Sequence, residues 1–297
     1  MASNQKLIEN KADTAGSIKP KWHFPLQKLK SCTPSRHVGF TYEAELQQLQ
    51  RSCAFIRELA DRYKRTKDGG ERLSNLCITV AMIRLRRFFL VHNLADFDPL
   101  DVGTACLFLS AKTEECPCRL EFLTLLYYRL RVELECPEEE WDATSIISKA
   151  QHKKFCDYIA WSESIILQTC GFGLEVHVPH PVVINLCTML KLGEPMPKLA
   201  YWLATDVHHN TDWIVRFRPK TIACVVLFVA SLYANEKLPN SPHGTPWFEG
   251  QHDPADEPLN EKLLLELAAE YAKALNVAKS FGVLASQAPN PNDISIK

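Results

Sequence analysis

The sequence predicts an all-α fold made of two helical units in tandem, on three observations. Apolar residues recur at i, i+3, i+4 and i+7 through most of the chain, the spacing of amphipathic helices. Two central segments, VGTACLFLSA and TIACVVLFVASLY, are apolar nearly all round and hold matching places in successive sets of helices, which suggests an internal duplication. β-Branched runs such as CVVLFV sit inside stretches too long for single strands and have helical neighbours, so they read as buried helix. The expected organisation is a disordered tail over 1–19, an N-terminal extension over 20–43, a first unit over 44–173, a second over 174–278 and a flexible tail over 279–297.

In the first unit, Leu46, Leu49, Cys53, Ile56, Leu59, Ala60 and Tyr63 line one face of a helix over Glu45 to Tyr63, and KRTKDGGE is its stop signal. A second helix is expected from Arg72 to His92 and a third from Pro99 to Lys112, the latter central to the bundle. Pro117 suits the first turn of a fourth, RLEFLTLLYYRL, because a first-turn proline gives up only a donor that would be unsatisfied anyway. The loop ECPEEEWDATS leads to a fifth, FCDYIAWSESIILQTC, closed by Gly171. From Pro179 the rhythm restarts: PHPVVINLCTML, LAYWLATDVHHN, PKTIACVVLFVASLYANE, a short aromatic segment PWFEG, and PLNEKLLLELAAEYAKAL, so that two five-helix bundles are expected.

Composition narrows the function classes. With 297 residues, 46% of them hydrophobic, the chain can bury sizeable cores. A formal net charge of -1 argues against coating nucleic acid or an anionic membrane. The eleven cysteines are scattered through apolar segments without a regular framework, and no signal peptide is apparent, which points to a reduced intracellular chain. No apolar run approaches the roughly 20 residues that span a bilayer. The usual enzyme constellations are missing: no phosphate-cradling glycine loop, no H-E-x-x-H, no G-x-S-x-G and no kinase signature. No catalytic residue and no cofactor is therefore expected. Cys116 and Cys118 lie two apart, His208 and His209 are adjacent and His177 and His180 are three apart, but no C-x-x-C exists and no metal site is expected. The histidines of VHVPH read as marking a turn.

The stretch FLSAKTEECPCRL, Phe108 to Leu120, admits three readings: Lys112 as a helix-end cation, Cys116 and Cys118 as ligands, or Phe108, Lys112 and Glu115 as one contact face. The words KPKWHF, TPSRHVGF, ACLFLSAKTEECP and ESIILQTCGF, together with the two helical units, resemble the cyclin fold. The likeness runs from about Lys21 to Ala278 and is closest to the transcriptional cyclins, particularly the cyclin T group with cyclin K nearby. Trp22, Phe24, the run Thr33 to Arg36 and Gly39 favour the T and K group.

The resemblance implies tandem cyclin boxes in a nuclear, non-catalytic subunit. Such a subunit would bind and activate a cyclin-dependent kinase of the transcription-elongation type as a heterodimer, in the cyclin T case the kinase of the positive transcription elongation factor. It would thereby promote phosphorylation of the RNA polymerase II C-terminal domain, among elongation-complex scaffold proteins and without direct nucleic-acid or membrane contact. It also implies kinase-binding roles for Phe108, Lys112, Glu115, Glu163 and Phe172. The first three, at i, i+4 and i+7, share one face where the helix persists through its last turn, and Lys112 is expected to pair with Glu163. A bland reading stands beside each: a lysine near a helix C-terminus is favourable by itself, by about 0.3 to 1 kcal/mol, and the phenylalanines could be core.

The sequence departs from the family at QRSCAF and RLRRFF, where Arg51 would meet Arg86 or Arg87 instead of an acid. A cyclin K-like partner of other elongation kinases is the near alternative. A cyclin-fold general transcription factor gripping DNA is the distant one, and it lacks its basic face and zinc ribbon: the first 40 residues hold only Cys32.

Overall fold

The computed structural model describes residues 22–65, 73–135, 147–240 and 244–280, and these are helical with turns and connectors. Two short helices, α1 (Leu26–Ser31) and α2 (Pro34–His37), precede a set of five: α3 (Tyr42–Arg65), α4 (Asn75–Phe89), α5 (Pro99–Thr113), α6 (Leu120–Glu135) and α7 (Lys149–Thr169). The second set is α8 (His180–Met189), α9 (Met196–Asn210), a 3-10 turn at Trp213–Val215, α10 (Pro219–Ala234) and α11 (Glu261–Ser280). Among the described residues this second set has four α-helices and not the expected five, because PWFEG is a turn, with the Glu249 amide donating to the Pro246 carbonyl at 3.0 Å and Trp247 buried. KRTKDGGE and ECPEEEWDATS fall largely outside the described residues, as do the two tails.

Capping explains where helices start. Ser74 accepts the Cys77 amide at 3.1 Å, so α4 opens at Asn75 and not at Arg72. It stops at Phe89, three residues before His92, because Asn93 Oδ1 collects the Ala95 and Asp96 amides and turns the chain. Asp98 caps α5 through the Leu100 amide at 2.8 Å, with Pro99 at the first position. A capping box between Ser148 and Gln151 starts α7 six residues ahead of Phe155. Pro117 does not begin α6: Cys116 to Arg119 form a connector whose Arg119 amide donates to Tyr63 Oη at 3.0 Å, and the helix opens at Leu120. Burying Cys116 and satisfying that amide hold the segment out of helical geometry.

Each set encloses its own core. The first contains Phe55, Ile56, Leu59, Met82, Leu85, Val102, Leu107, Leu123, Ile159 and Ile166, with α5 at its centre. The second contains Val183, Leu203, Trp213, Val226, Leu264 and Tyr271 around α10, and it also takes Ile83 from α4 and Leu29 from α1. Close approach of α5 to α3 depends on Gly103, where an added Cβ would lie 2.8 Å from Ser52 Oγ and 3.2 Å from Ile56 Cγ1. Gly103→Ala is expected to destabilise the fold by about 1–3 kcal/mol through overpacking, read as a lowered urea midpoint at unchanged m-value.

The sets are joined by polar contacts to the end of α9. Arg86 donates to the His208 and His209 carbonyls at 3.3 and 3.1 Å, and Gln50 donates to the Asn210 carbonyl at 2.6 Å. These donors satisfy last-turn carbonyls that have no partner within the helix. Arg86 therefore does not face Arg51. Arg87 lies over the Trp22 ring at 5.3 Å, and Arg51 is exposed on a surface cleft beside Asp98 and Arg131.

The N-terminal extension binds across both sets. The Phe24 amide donates to the Val215 carbonyl at 2.8 Å, and Arg36 pairs with Glu45 at 2.5 Å, both side chains being about nine-tenths buried. Ser35 Oγ accepts the Leu94 amide at 3.3 Å.

Candidate docking face

The candidate residues gather where α5 ends beside α7. Phe108 and Lys112, one turn apart on α5, touch through the ammonium lying 4.1 Å from the ring centroid. Lys112 Nζ also reaches Glu163 of α7, at 2.5 and 2.8 Å to its two oxygens. The expected pair is thus formed, with the lysine side chain 43% exposed and the glutamate 13%. Phe108 is half-buried against the first core and still reachable at its edge.

Glu115 is placed differently from the sequence expectation. The helix ends at Thr113, Glu115 has a left-handed φ of 56°, and the Cys116 amide donates back to the Ala111 carbonyl at 2.9 Å. This six-residue closure caps the last carbonyls and takes Glu115 off the helical face that carries Phe108 and Lys112. Glu115 stays exposed at the same corner.

Phe172 follows α7 in a second closure of the same kind. Gly171 and Phe172 both have a φ of 58°, and the Phe172 amide donates to the Leu167 carbonyl at 2.9 Å. A left-handed phenylalanine carries backbone strain, and this one is 68% exposed. It is not core. Leu174, two residues on, is 45% exposed.

Cys116 and Cys118 behave as packing groups. Burial, reinforced by neighbouring Cys116, pushes the Cys118 thiol up to about 12, and burial drives Cys77, which is hydrogen-bonded to Cys116, higher still. Metal binding needs thiolates, which this environment opposes. Among the described residues no group of three or more His, Cys, Asp or Glu could hold a metal ion. His208 is enclosed, its Nδ1 2.6 Å from the Ala204 carbonyl, and His180 Nε2 lies 2.9 Å from Thr205 Oγ1 at the start of α8.

The sequence reading missed Arg84, whose only signal was a charge inside the apolar run VAMIRLRRFF. It is 1% exposed, donates to Ser110 and Thr113 on the last turns of α5, and donates to the Leu174 carbonyl beyond α7. Burial lowers its pKa.

Residues 178–274 match the family model described as Cyclin-T2-like, C-terminal domain. The chain is 29% identical over 259 residues to Cyclin-T1.1 of Caenorhabditis elegans, covering 84% of this chain and 52% of that protein. It is also 29% identical over 257 residues to Cyclin-T1 of Homo sapiens, covering 86% and 32%. The second helical set is thus similar to a cyclin T-type C-terminal domain, and most of the chain is similar to cyclin T proteins. Its fold is similar to a chain of the yeast RNA Pol II CTD kinase CTDK-1 complex, with a TM-score of 0.58, 18% identity and 84% and 82% of the two chains covered. A chain of the Chaetomium thermophilum CAK complex bound to ATP-gamma-S gives a TM-score of 0.52 at 14% identity, covering 95% and 81%. The chain spans about half the length of the worm relative, and 32% of the human one.

Proposed function

We propose that the cyclin T-like chain is the non-catalytic regulatory subunit of a nuclear transcription-elongation kinase. It binds a cyclin-dependent kinase through the corner formed by Phe108, Lys112, Glu115, Glu163 and Phe172. The boxes divide as 44–173, which holds the kinase, and 174–278, which packs behind it. Activation follows from binding the active arrangement of the kinase better than the inactive one, and inverting a 1:99 population takes ~5.5 kcal/mol of differential affinity. A packed surface with an apolar anchor and oriented charges can supply that. The complex phosphorylates the RNA polymerase II C-terminal domain during elongation.

The observation that carries this reading is the 68%-exposed Phe172 at the exit of α7, the helix whose Glu163 pairs with Lys112, in a chain similar to cyclin T over most of its length. An exposed aromatic at a corner with fixed charges has the composition of an interface hot spot. Co-purification with the kinase subunit of the positive transcription elongation factor, followed by C-terminal-domain phosphorylation, tests the proposal. Lys112→Ala with Glu115→Ala is expected to weaken binding about 10–100-fold while leaving helical content and the melting transition unchanged. Wild-type binding by the double variant would show that the docking face lies elsewhere.

A further inference from the structure

We infer that Arg84 is a positioning residue: it fixes the end of α5 to the segment after α7, so that Phe172 and Leu174 are displayed at a set distance from Lys112. The inference rests on the docking reading above and assigns the device that pre-forms the docking corner.

The geometry is specific. One guanidinium nitrogen donates to Ser110 Oγ at 2.7 Å and to Thr113 Oγ1 at 3.0 Å, and the two acceptors flank Lys112 in sequence. The other nitrogen donates to the Leu174 carbonyl at 3.0 Å. Three segments far apart in sequence, the middle of α4, the last turn of α5 and the segment leaving α7, thus meet on one buried planar group. A guanidinium suits this work because its rigid fork holds several acceptors at fixed angles, which a lysine cannot reproduce.

The exit segment needs such a tie. Cys170 is anchored in the first core and Val176 packs on the second, but between them Phe172 and Leu174 point to solvent at 68% and 45% exposure. Phe172, a non-glycine residue at a left-handed φ of 58°, makes the turn unfavourable unless its surroundings hold it. The Phe172 and Gly173 amides are bonded within the turn, to Leu167 and Cys170, and neither bond reaches α5. Arg84 supplies the cross-link. A corner held this way loses less conformational entropy when a partner covers it.

The experiment compares wild type with Arg84→Met, which keeps apolar bulk while removing the donors, and Arg84→Lys. Two readouts are taken: amide hydrogen exchange at Phe172 and Gly173 in the free protein, and affinity for the purified kinase subunit of the positive transcription elongation factor. Arg84→Met is expected to speed exchange at those two amides at least tenfold, with amides in the centre of α10 unchanged, and to weaken kinase binding at least tenfold. Arg84→Lys is expected to recover only part of each. Ser110→Ala with Thr113→Val, which removes two acceptors and leaves Arg84 in place, reproduces the affinity loss if Arg84→Met proves too unstable to purify. Unchanged exchange, or faster exchange with unaltered affinity, overturns the positioning role. If wild type itself fails to bind the kinase, the docking reading falls, and the exchange result alone decides whether Arg84 holds the turn.

Discussion

At pH 5.0 the folded chain is expected to lose about 6 kcal/mol of stability relative to pH 7.5, because three buried histidines stay neutral while their unfolded counterparts take up protons. Burial pushes His180 down to about 4, and pushes His208 and His209 down to about 3, from the ordinary 6.5. His209 is further depressed by the cations Arg57 and Arg86, and His208 by His180 and Arg86. Folded values below the unfolded one mean that the unfolded chain binds more protons throughout the window between them. Stability from these groups is complete above about 6.5 and falls steadily as pH drops toward 3 to 4. At pH 5.0 each site contributes about 2 kcal/mol of that loss, since the unfolded imidazole is then about 30-fold more protonated than not.

The window isolates histidine, because ordinary carboxylates are still largely ionised at pH 5.0. Asp101 works in the opposite direction, its carboxyl raised by burial, and offsets part of the effect. Urea titrations at the two pH values measure the difference, and His180→Gln should narrow it by about 2 kcal/mol. Equal stabilities within about 1 kcal/mol would show that the imidazoles reach solvent or a proton acceptor in the folded chain.

Much of the fold was legible in the sequence because helical periodicity is a property of each segment alone. Pro99 to Lys112 reads as a buried central helix from a centre that is apolar nearly all round, and the structure has that helix over Pro99–Thr113. Where two local rules compete, sequence reading loses. Pro117 satisfies the rule for a first-turn proline, but Tyr63 from another helix claims the Arg119 amide and the connector stays open. Glu115 satisfies i+7 spacing, but a left-handed closure ends the helix two residues earlier.

Charges were the least legible feature, since a charge declares nothing about its partner. Lys112 and Glu163 could be paired from the family resemblance, whereas Arg84 and Arg86 serve hydroxyls and backbone carbonyls that carry no sequence signal. The TPSRHVGF word acquires a physical meaning only in three dimensions. Its arginine neutralises Glu45, and its serine holds the turn after α4, so the extension is stitched to the first set of helices.

Arg86→Met is expected to cost about 3–5 kcal/mol and to separate the unfolding of the two helical sets. Arg86 is 2% exposed, and its donors go to two carbonyls at the end of α9. Methionine restores most of the apolar volume but leaves both carbonyls buried without a donor, at about 1–3 kcal/mol each. Gln50 cannot compensate, because its amide is already committed to Asn210. The interface would then rely on Gln50 with Asn210 at 2.6 Å, Tyr42 with Asp212 at 2.8 Å, Thr79 with Thr205 at 3.5 Å, the N-terminal extension bonded to Val215, and the apolar reach of Ile83 into the second core. Those contacts hold the sets together more weakly than they hold themselves, so one cooperative transition should become two.

Far-UV circular dichroism follows both sets together, while fluorescence selective for Trp213 in the second core, with the other tryptophans replaced, follows one. Coincident transitions in the wild type and split ones in Arg86→Met are expected. A variant that unfolds in one step at wild-type midpoint would mean that Arg86 neither caps α9 nor couples the two sets.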